Sequence, residues 1–586
     1  GTTLHLELFQ WIVDDYNKNR RFYVLAGPGQ EEKSVNTAEG TVLAAEEAMK
    51  LAVHEGLVHD VDTSGTFRWA HDKLQESAFL MLPKRRRKLV QLRLGEVLLE
   101  KLDENLLEQH LHCVVGLLNA GSATIPTTDS TKRVELAELN RRAGRQNIEA
   151  SSFTSAHKHF SIALGLLPSN KWRVHSELCL DLFSSAAEAE YCIGKMQDME
   201  EHCREVISKV NVPLLQKRRA YTTLMAGLNA QGKPDEALNL CCMVLAQLDC
   251  AIPRKMVLVR VVPGFLRAKR CAKSVTSVEV DKLKAMTDPK RLWTMVLLDK
   301  LFNYAYLANK PEFNAAAIVK SFEYTVKHGA SEETPAALAR MGFALGTSLG
   351  EPTIGRAYAE YAMKLLDMFE NRRVKCRTFF LIYCLIHHWT SKLETQPLLE
   401  AYKAGMAVGD AENAMWNAYF YVNYSLQLAA PLSTIAQDAS SFCHQMKELG
   451  QGKAAQYMVM IRQIIANLQG QSSETSLLCG EVMTEEELRP CQLDGQTRSV
   501  LQSLQMYLAF FFDDFKLLFS IRKDLDEVKL ETTSPGVFGL TVFNLFNGLG
   551  AISMYHSTKK RSYKKIAAVN RRRMKRWLDN GVRYMR

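Results

Sequence analysis

The segment Gly27-Pro28-Gly29-Gln30-Glu31-Glu32-Lys33-Ser34 holds the residue types nearest to chemistry. A glycine-rich turn ending in Lys-Ser or Lys-Thr wraps backbone N–H groups around nucleotide phosphates. It places an ammonium on the terminal phosphates and a hydroxyl on magnesium. The match breaks at Glu32, which stands where the second glycine belongs and sets a carboxylate against the phosphates. No apolar run ending in paired acids follows to hold the metal. The segment therefore reads as a loop that matches by chance. Gly27, Gly29, Lys33 and Ser34 remain the alternative, a degenerate nucleotide site.

Other candidates carry less. His71-Asp72 is a pair that ligates metal in phosphohydrolases, but no further His and Asp stand at suitable spacing, so a structural place at a helix start is expected. His110/His112 and His387/His388 lack a third and fourth ligand. The 13 cysteines form no C-x-x-C pair and read as buried thiols of a reducing compartment; Cys241-Cys242 lies on an apolar helix face as two small hydrophobes. There is no serine nucleophile elbow, no phospho-acceptor histidine motif and no G-x-G-x-x-G between strand and helix. The expectation is no catalytic residue, no metal and no cofactor in this chain.

The elements that would position any site are helices. Apolar spacing is helical from about residue 68 onward. Strand-like runs are confined to the first 70 residues, with Phe22–Gly27 and Thr66–Trp69 the best. Between them Thr41–Gly56 reads as a helix with Ala45, Ala48, Met49 and Ala52 on one face and Gly56 as C-cap. Helix, short helix, then a strand leading into a basic helix suit a winged-helix-like module.

From residue 131 the pattern becomes antiparallel helix pairs. Arg133–Ile148 is followed by Phe153–Leu167, in which Ala156, Phe160 and Ala163 precede Pro168. That order matches the second helix of a tetratricopeptide repeat, where small residues let helices approach and the aromatic fills the gap. Residues 172–209 form a pair turning at Gly194, and 214–249 a pair turning at Gln231-Gly232-Lys233-Pro234. Looser pairs turn near Asn309-Lys310-Pro311, Gly350-Glu351-Pro352 and Gly409-Asp410-Ala411. The pairs start about 40 residues apart, close to the tetratricopeptide period. Such a body is neither a doubly wound sheet nor a compact barrel enzyme.

Composition agrees. Of 586 residues, 47% are hydrophobic and 24% charged, which excludes a largely disordered chain; 16 Pro and 32 Gly favour long helices. The net charge of +10 is local. Residues 559–586 hold twelve Lys/Arg and one acid, Asp579, so they carry +11 and the rest sums to −1. A nucleic-acid role therefore cannot be argued from overall basicity. Within that segment Ile566, Val569, Met574, Trp577 and Leu578 recur at helical spacing, giving a basic amphipathic helix. Its bland reading is a terminal repeat helix with a solvated face. Its sharper reading is contact with an anionic membrane, nucleic acid or a calmodulin-like partner through Lys564, Lys565, Arg571, Arg572, Arg573, Lys575 and Arg576. Just before it, Val537–Tyr555 has the length and basic flank of a membrane span, but Asn544, Asn547 and three glycines suit a helix buried in an array.

At residues 67–102, FRWAHDKLQESAFLMLPKRRRKLVQLRLGEVLLEKL, the chain resembles large signalling proteins in which a STAND-type AAA ATPase precedes a tetratricopeptide-like superhelix. These are often fused to a Ser/Thr kinase and a sensor histidine kinase, as in hybrid signal-transduction histidine kinases. The resemblance continues in order through 133–167, 219–249, 286–313, 403–417 and 566–577, and Gly1–Val13 is similar to the segment leaving the ATPase core. It implies that the phosphate loop, ATP and magnesium belong upstream of Gly1, that the chain is a fragment or processed piece, and that residues 23–40 are shortened and altered.

The expectation is an all-α protein: residues 1–102 as the winged-helix-like remnant of an ATPase module and 103–586 as a tetratricopeptide-like solenoid. The resemblance implies a cytoplasmic, non-catalytic regulatory scaffold that binds a protein partner or signalling ligand and acts on an ATPase core in cis.

Overall fold

A computed structural model describes residues 3–18, 45–62, 66–80, 84–253, 257–274, 283–369, 372–389, 391–483, 495–524 and 539–579. The strand expected at 22–27, the loop 27–34 and the altered stretch 23–40 lie outside them. Among the described residues the fold is all-α apart from one small sheet and an isolated bridge between Ala285 and Ala330, and the chain divides into two compact units, residues 1–233 and 234–586.

The first unit opens with strand β1 (Thr3–His5) and helix α1 (Leu6–Lys18). Helix α2 (Ala45–His54) precedes the hairpin of β2 (Val58–Asp62) and β3 (Thr66–Trp69). The sheet order is β1-β3-β2, all antiparallel, with Leu4 opposite Phe67 and His59 opposite Arg68. Thr66–Trp69 is thus the central strand. Helix α2 ends before Gly56, whose φ of +67° closes the turn, and it buries Ala45 and Met49. Helix α3 (Asp72–Leu80) and basic helix α4 (Lys84–Lys101) follow. Arg93 of α4 holds the buried Asp15 of α1 through two N–H groups, at 2.7 and 3.2 Å.

Helices α5 (Glu104–Gly121), α6 (Ser130–Glu149), α7 (Phe153–Leu166), α8 (Ser176–Cys192), α9 (Met196–Ser208) and α10 (Arg218–Ala230) complete this unit. Its apolar core runs unbroken from Leu8 through Leu98, Leu102 and Leu107 to Ala189. Ala156, Phe160 and Ala163 are fully buried, as the repeat pattern requires. A Cβ on Gly144 of α6 would lie 2.4 Å from the Phe160 ring, so the ring occupies the space that glycine leaves. Gly144 completes the repeat pattern at the first helix of the pair.

The second unit runs through α11 (Pro234–Gln247), α12 (Val257–Ser274), α13 (Pro289–Leu307), α14 (Pro311–His328), α15 (Thr334–Phe343), α16 (Pro352–Phe369), α17 (Arg372–Phe379) and α18 (Gln396–Ala407). It continues with α19 (Ala411–Gln427), α20 (Leu432–Glu448), α21 (Gly452–Leu468), α22 (Gly495–Phe511), α23 (Phe515–Asp524), α24 (Gly539–Thr558) and α25 (Arg561–Asp579). Successive helices pack as hairpins: α13 on α14, α15 on α16, α17 on α18, α19 on α20, α24 on α25. Every residue of α15 is buried.

One turn recurs. A residue in the left-handed region stands two positions before the next helix begins: Ser151, Gly194, Gly232, Asn309, Gly350, Gly409, Gly450, Asp513 and Lys559. In most of these the following N–H returns to the carbonyl five residues back, as from Lys195 to Glu190, Lys310 to Ala305 and Asp410 to Gly405, all within 2.9 Å. This Schellman closure satisfies orphan carbonyls and reverses the chain in three residues. Carboxylates or prolines then start the next helix: Asp129 and Asp410 accept from Lys132 N and Asn413 N, while Pro234, Pro311 and Pro352 stand at the first helical position.

Candidate functional site

The candidate phosphate loop, Gly27, Gly29, Lys33 and Ser34, falls outside the described residues. The other sequence candidates take structural places. His71 Nδ1 accepts the Lys73 N–H at 3.0 Å, so the His71-Asp72 pair caps α3. The rings of His112 and His159 approach to 5.7 Å, and His159 Nδ1 lies 3.0 Å from Asn140 Oδ1. His388 is buried against Trp389 and Tyr424. Among the described residues no group of three His, Cys, Asp or Glu is placed to hold a metal ion. The described cysteines are free thiols, most of them buried; Cys241 Sγ reaches Leu297 O at 3.3 Å.

Two charge networks had no place in the sequence reading. In the first unit Asp181 of α8 accepts from Arg141 of α6, 40 residues upstream, at 2.9 Å, and from Arg219 of α10, 38 residues downstream, at 2.6 Å. Arg145 adds a contact at 2.7 Å. Arg219 continues to Glu188 and Ser185. Burial pushes the Asp181 carboxyl up, but the hydrogen bonds from Arg145 and Arg141 and the charge of Arg219 outweigh it and hold it below its ordinary value. In the second unit Asp299 of α13 pairs with Arg340 of α15 at 2.6 Å and with Arg377 of α17, which also reaches Glu333 at 3.2 Å. The Arg340 guanidinium lies 4.4 Å over the Phe302 ring. Burial again raises the Asp299 carboxyl, and the Arg340 and Arg377 charges overcome it, bringing it down to about 2. Glu333 goes the other way: burial raises it and the nearby Asp299 charge adds to that, against the pull of Arg377.

In each network one acid joins arginines from the first helices of neighbouring pairs. The signal was present in the sequence: Arg141, Asp181 and Arg219, then Asp299, Arg340 and Arg377, recur at about one repeat period. Chemically these groups cross-link helices and fix their register.

The third feature is the basic hairpin. Helix α24 buries Asn544 and Asn547 and packs on α22, α23 and α25. No described helix is long and apolar enough to cross a membrane. On α25, Lys564, Lys565, Arg571, Arg572, Lys575 and Arg576 are exposed, and among the described residues none pairs with a carboxylate. Arg573 turns inward and donates to Asn544 Oδ1 at 3.0 Å. Ile566, Met574, Trp577 and Leu578 are half-buried, with Trp577 edge-on to Trp389, while Val569 is exposed.

The fold defines a helical-repeat protein of tetratricopeptide-like hairpins with a small antiparallel sheet in front. No protein-family profile matches the chain. It is 20% identical over 464 residues, 69% of its length, to "Hybrid signal transduction histidine kinase G" of Dictyostelium discoideum, and the match takes in 13% of that protein. A solved structure described as a circular tandem repeat protein with novel repeat topology aligns over 92% of this chain and 96% of its own, at 12% identity. Its TM-score is 0.12.

Proposed function

We propose that the chain is a regulatory scaffold of a signal-transduction protein, in which the helical array binds a protein partner or signalling ligand and controls an ATPase or kinase module. The observation that carries this reading is the array itself. Stacked hairpins bury their core between neighbours and leave long helical faces for recognition. The distant similarity to a hybrid histidine kinase supports the signalling context. The sheet order β1-β3-β2 with α1 and α2 supports a winged-helix-like module such as follows a STAND-type ATPase core.

The test compares the gene's complete product with a version lacking residues 234–586, measuring ATP turnover and autophosphorylation. Regulation requires a changed basal rate or a lost response to stimulus. Identical rates and responses in both proteins defeat it. ATP binding by the 586-residue chain that disappears in Lys33→Ala favours the nucleotide-site alternative instead.

A further inference from the structure

We propose that the α24–α25 hairpin is a docking surface for an anionic bilayer leaflet. The proposal is independent of the regulatory reading.

On α25 the side chains divide by face. Ile566, Asn570, Arg573 and Trp577 point inward, and Asn570 is buried beside Gly548 of α24. At 100° per residue, Arg561, Lys564, Lys565, Arg571, Arg572, Lys575 and Arg576 fill an outward sector about 140° wide over roughly 22 Å of helix. All seven are exposed, and no carboxylate among the described residues neutralises them. Such a face calls for an extended anionic surface.

The partner helix adds what a polyanion alone would not need. On α24, Asn544 and Gly548 meet α25, whereas Gly550 meets Phe515 and Leu518 and Phe546 stacks on Phe510. Leu545, Leu549 and Ile552, spaced i, i+4, i+7, take the remaining sector and are 37%, 43% and 45% exposed. A flat surface laid on the side of the hairpin away from α22 and α23 meets this stripe and one edge of the cationic sector together. Apolar side chains that enter the acyl boundary beside cations that meet lipid phosphates are the composition of an interfacial membrane helix. Nucleic acid uses the cations but not the stripe. The rings it would stack on are engaged elsewhere: Tyr563 packs on Phe519 and Trp577 on Trp389.

The test is co-sedimentation of the full 586-residue chain with phosphatidylcholine vesicles and with equal mixtures of phosphatidylcholine and phosphatidylserine, with a DNA duplex and an RNA duplex as competitors. The chain should pellet with the anionic vesicles only and be released by raised salt. Replacing Arg571, Arg572, Lys575 and Arg576 together by Gln should weaken binding about a hundredfold or more. Leu545→Gln/Leu549→Gln/Ile552→Gln should weaken it about tenfold at constant charge. If the quadruple variant loses its melting transition, Arg571→Gln/Arg572→Gln and Lys575→Gln/Arg576→Gln, measured separately, carry the same expectation at about tenfold each. The proposal is overturned by failure to pellet with anionic vesicles, or by binding indifferent to the cations. It is equally overturned if the apolar triple variant binds as the parent does, or if duplex binds tighter than vesicles and displaces them; the face then serves a polyanion.

Discussion

The Arg340 guanidinium meets the Asp299 carboxylate at 2.6 Å with both side chains almost wholly out of solvent. Taking two charges out of water costs several kcal/mol each, so the pair persists only because Arg377 and Glu333 complete the network. Its three helices, α13, α15 and α17, are first members of successive pairs, and an error of one residue in their register would strand a charge in the core.

Removing one member should therefore cost more than removing a matched pair. Asp299→Leu leaves Arg340 buried without a counter-charge and should destabilise by about 3–5 kcal/mol. Asp299→Leu/Arg340→Met removes both charges and leaves Arg377 to Glu333. The double variant should be more stable than the sum of the singles by about 0.5–3 kcal/mol. Urea midpoints of the four proteins give the coupling; strict additivity would show that the pair is not a unit.

The same carboxylate sets an acid dependence. Asp299 ordinarily titrates at 3.8 and is held at about 2 in the fold, so its stabilisation is complete above 3.8 and drains away as pH falls toward 2. Asp181, also held low, adds loss in the same direction. Glu333 is raised above 4.5, so its contribution improves as pH falls through its folded value toward 4.5. Stability should thus hold or rise slightly down to about pH 4.5 and fall below about pH 4. In Asp299→Asn the descent between pH 4 and 2 should be shallower. Urea midpoints taken across that range check the difference, and an unchanged slope assigns the acid loss to other groups.

The repeat packing makes a steric prediction. Gly144 faces the Phe160 ring at a distance that admits no Cβ, so Gly144→Ala should overpack the first hairpin and cost about 1–3 kcal/mol. Phe160→Ala empties the same site and should cost about 3–5 kcal/mol. Combining them should cost less than the sum, because the methyl enters the space that the ring vacates. Calorimetric midpoints decide, and an additive double variant would mean that the two residues do not share the space.

What the sequence made legible follows from which physics is local. Gly194, Gly232, Gly350 and Gly409 punctuate the chain because few residues other than glycine adopt positive φ cheaply, and the turns fell where those residues stand. The Ala156, Phe160 and Ala163 spacing is one helix face, so it announced its burial. The cationic face of α25 is a property of one helix and was equally plain. The networks of Asp181 and Asp299 were not, because arginines and aspartates spaced 38 to 41 positions apart read as solvated surface until the repeat register aligns them. Gly144 was missed for a related reason: its partner, Phe160, belongs to the next helix.

Ala429 closes the hairpin between α19 and α20 with φ of +56°, and Ala430 N–H returns to Ser425 O at 3.0 Å. An alanine Cβ in the left-handed region crowds the following carbonyl at about 1–2 kcal/mol, a cost that glycine escapes. Glycine also widens the unfolded ensemble, which returns part of the gain. Since the backbone is already in the conformation that glycine prefers at a helix end, relief of the crowding should prevail. Ala429→Gly should therefore raise the stability of the second unit by up to about 1 kcal/mol, opposite to the usual sense of an Ala→Gly exchange. A control exchange at Ala418, buried inside α19, should destabilise by about 1 kcal/mol or more. Thermal midpoints of the two variants should move in opposite directions; a fall for both would show that the turn at 429 does not keep its left-handed residue in solution.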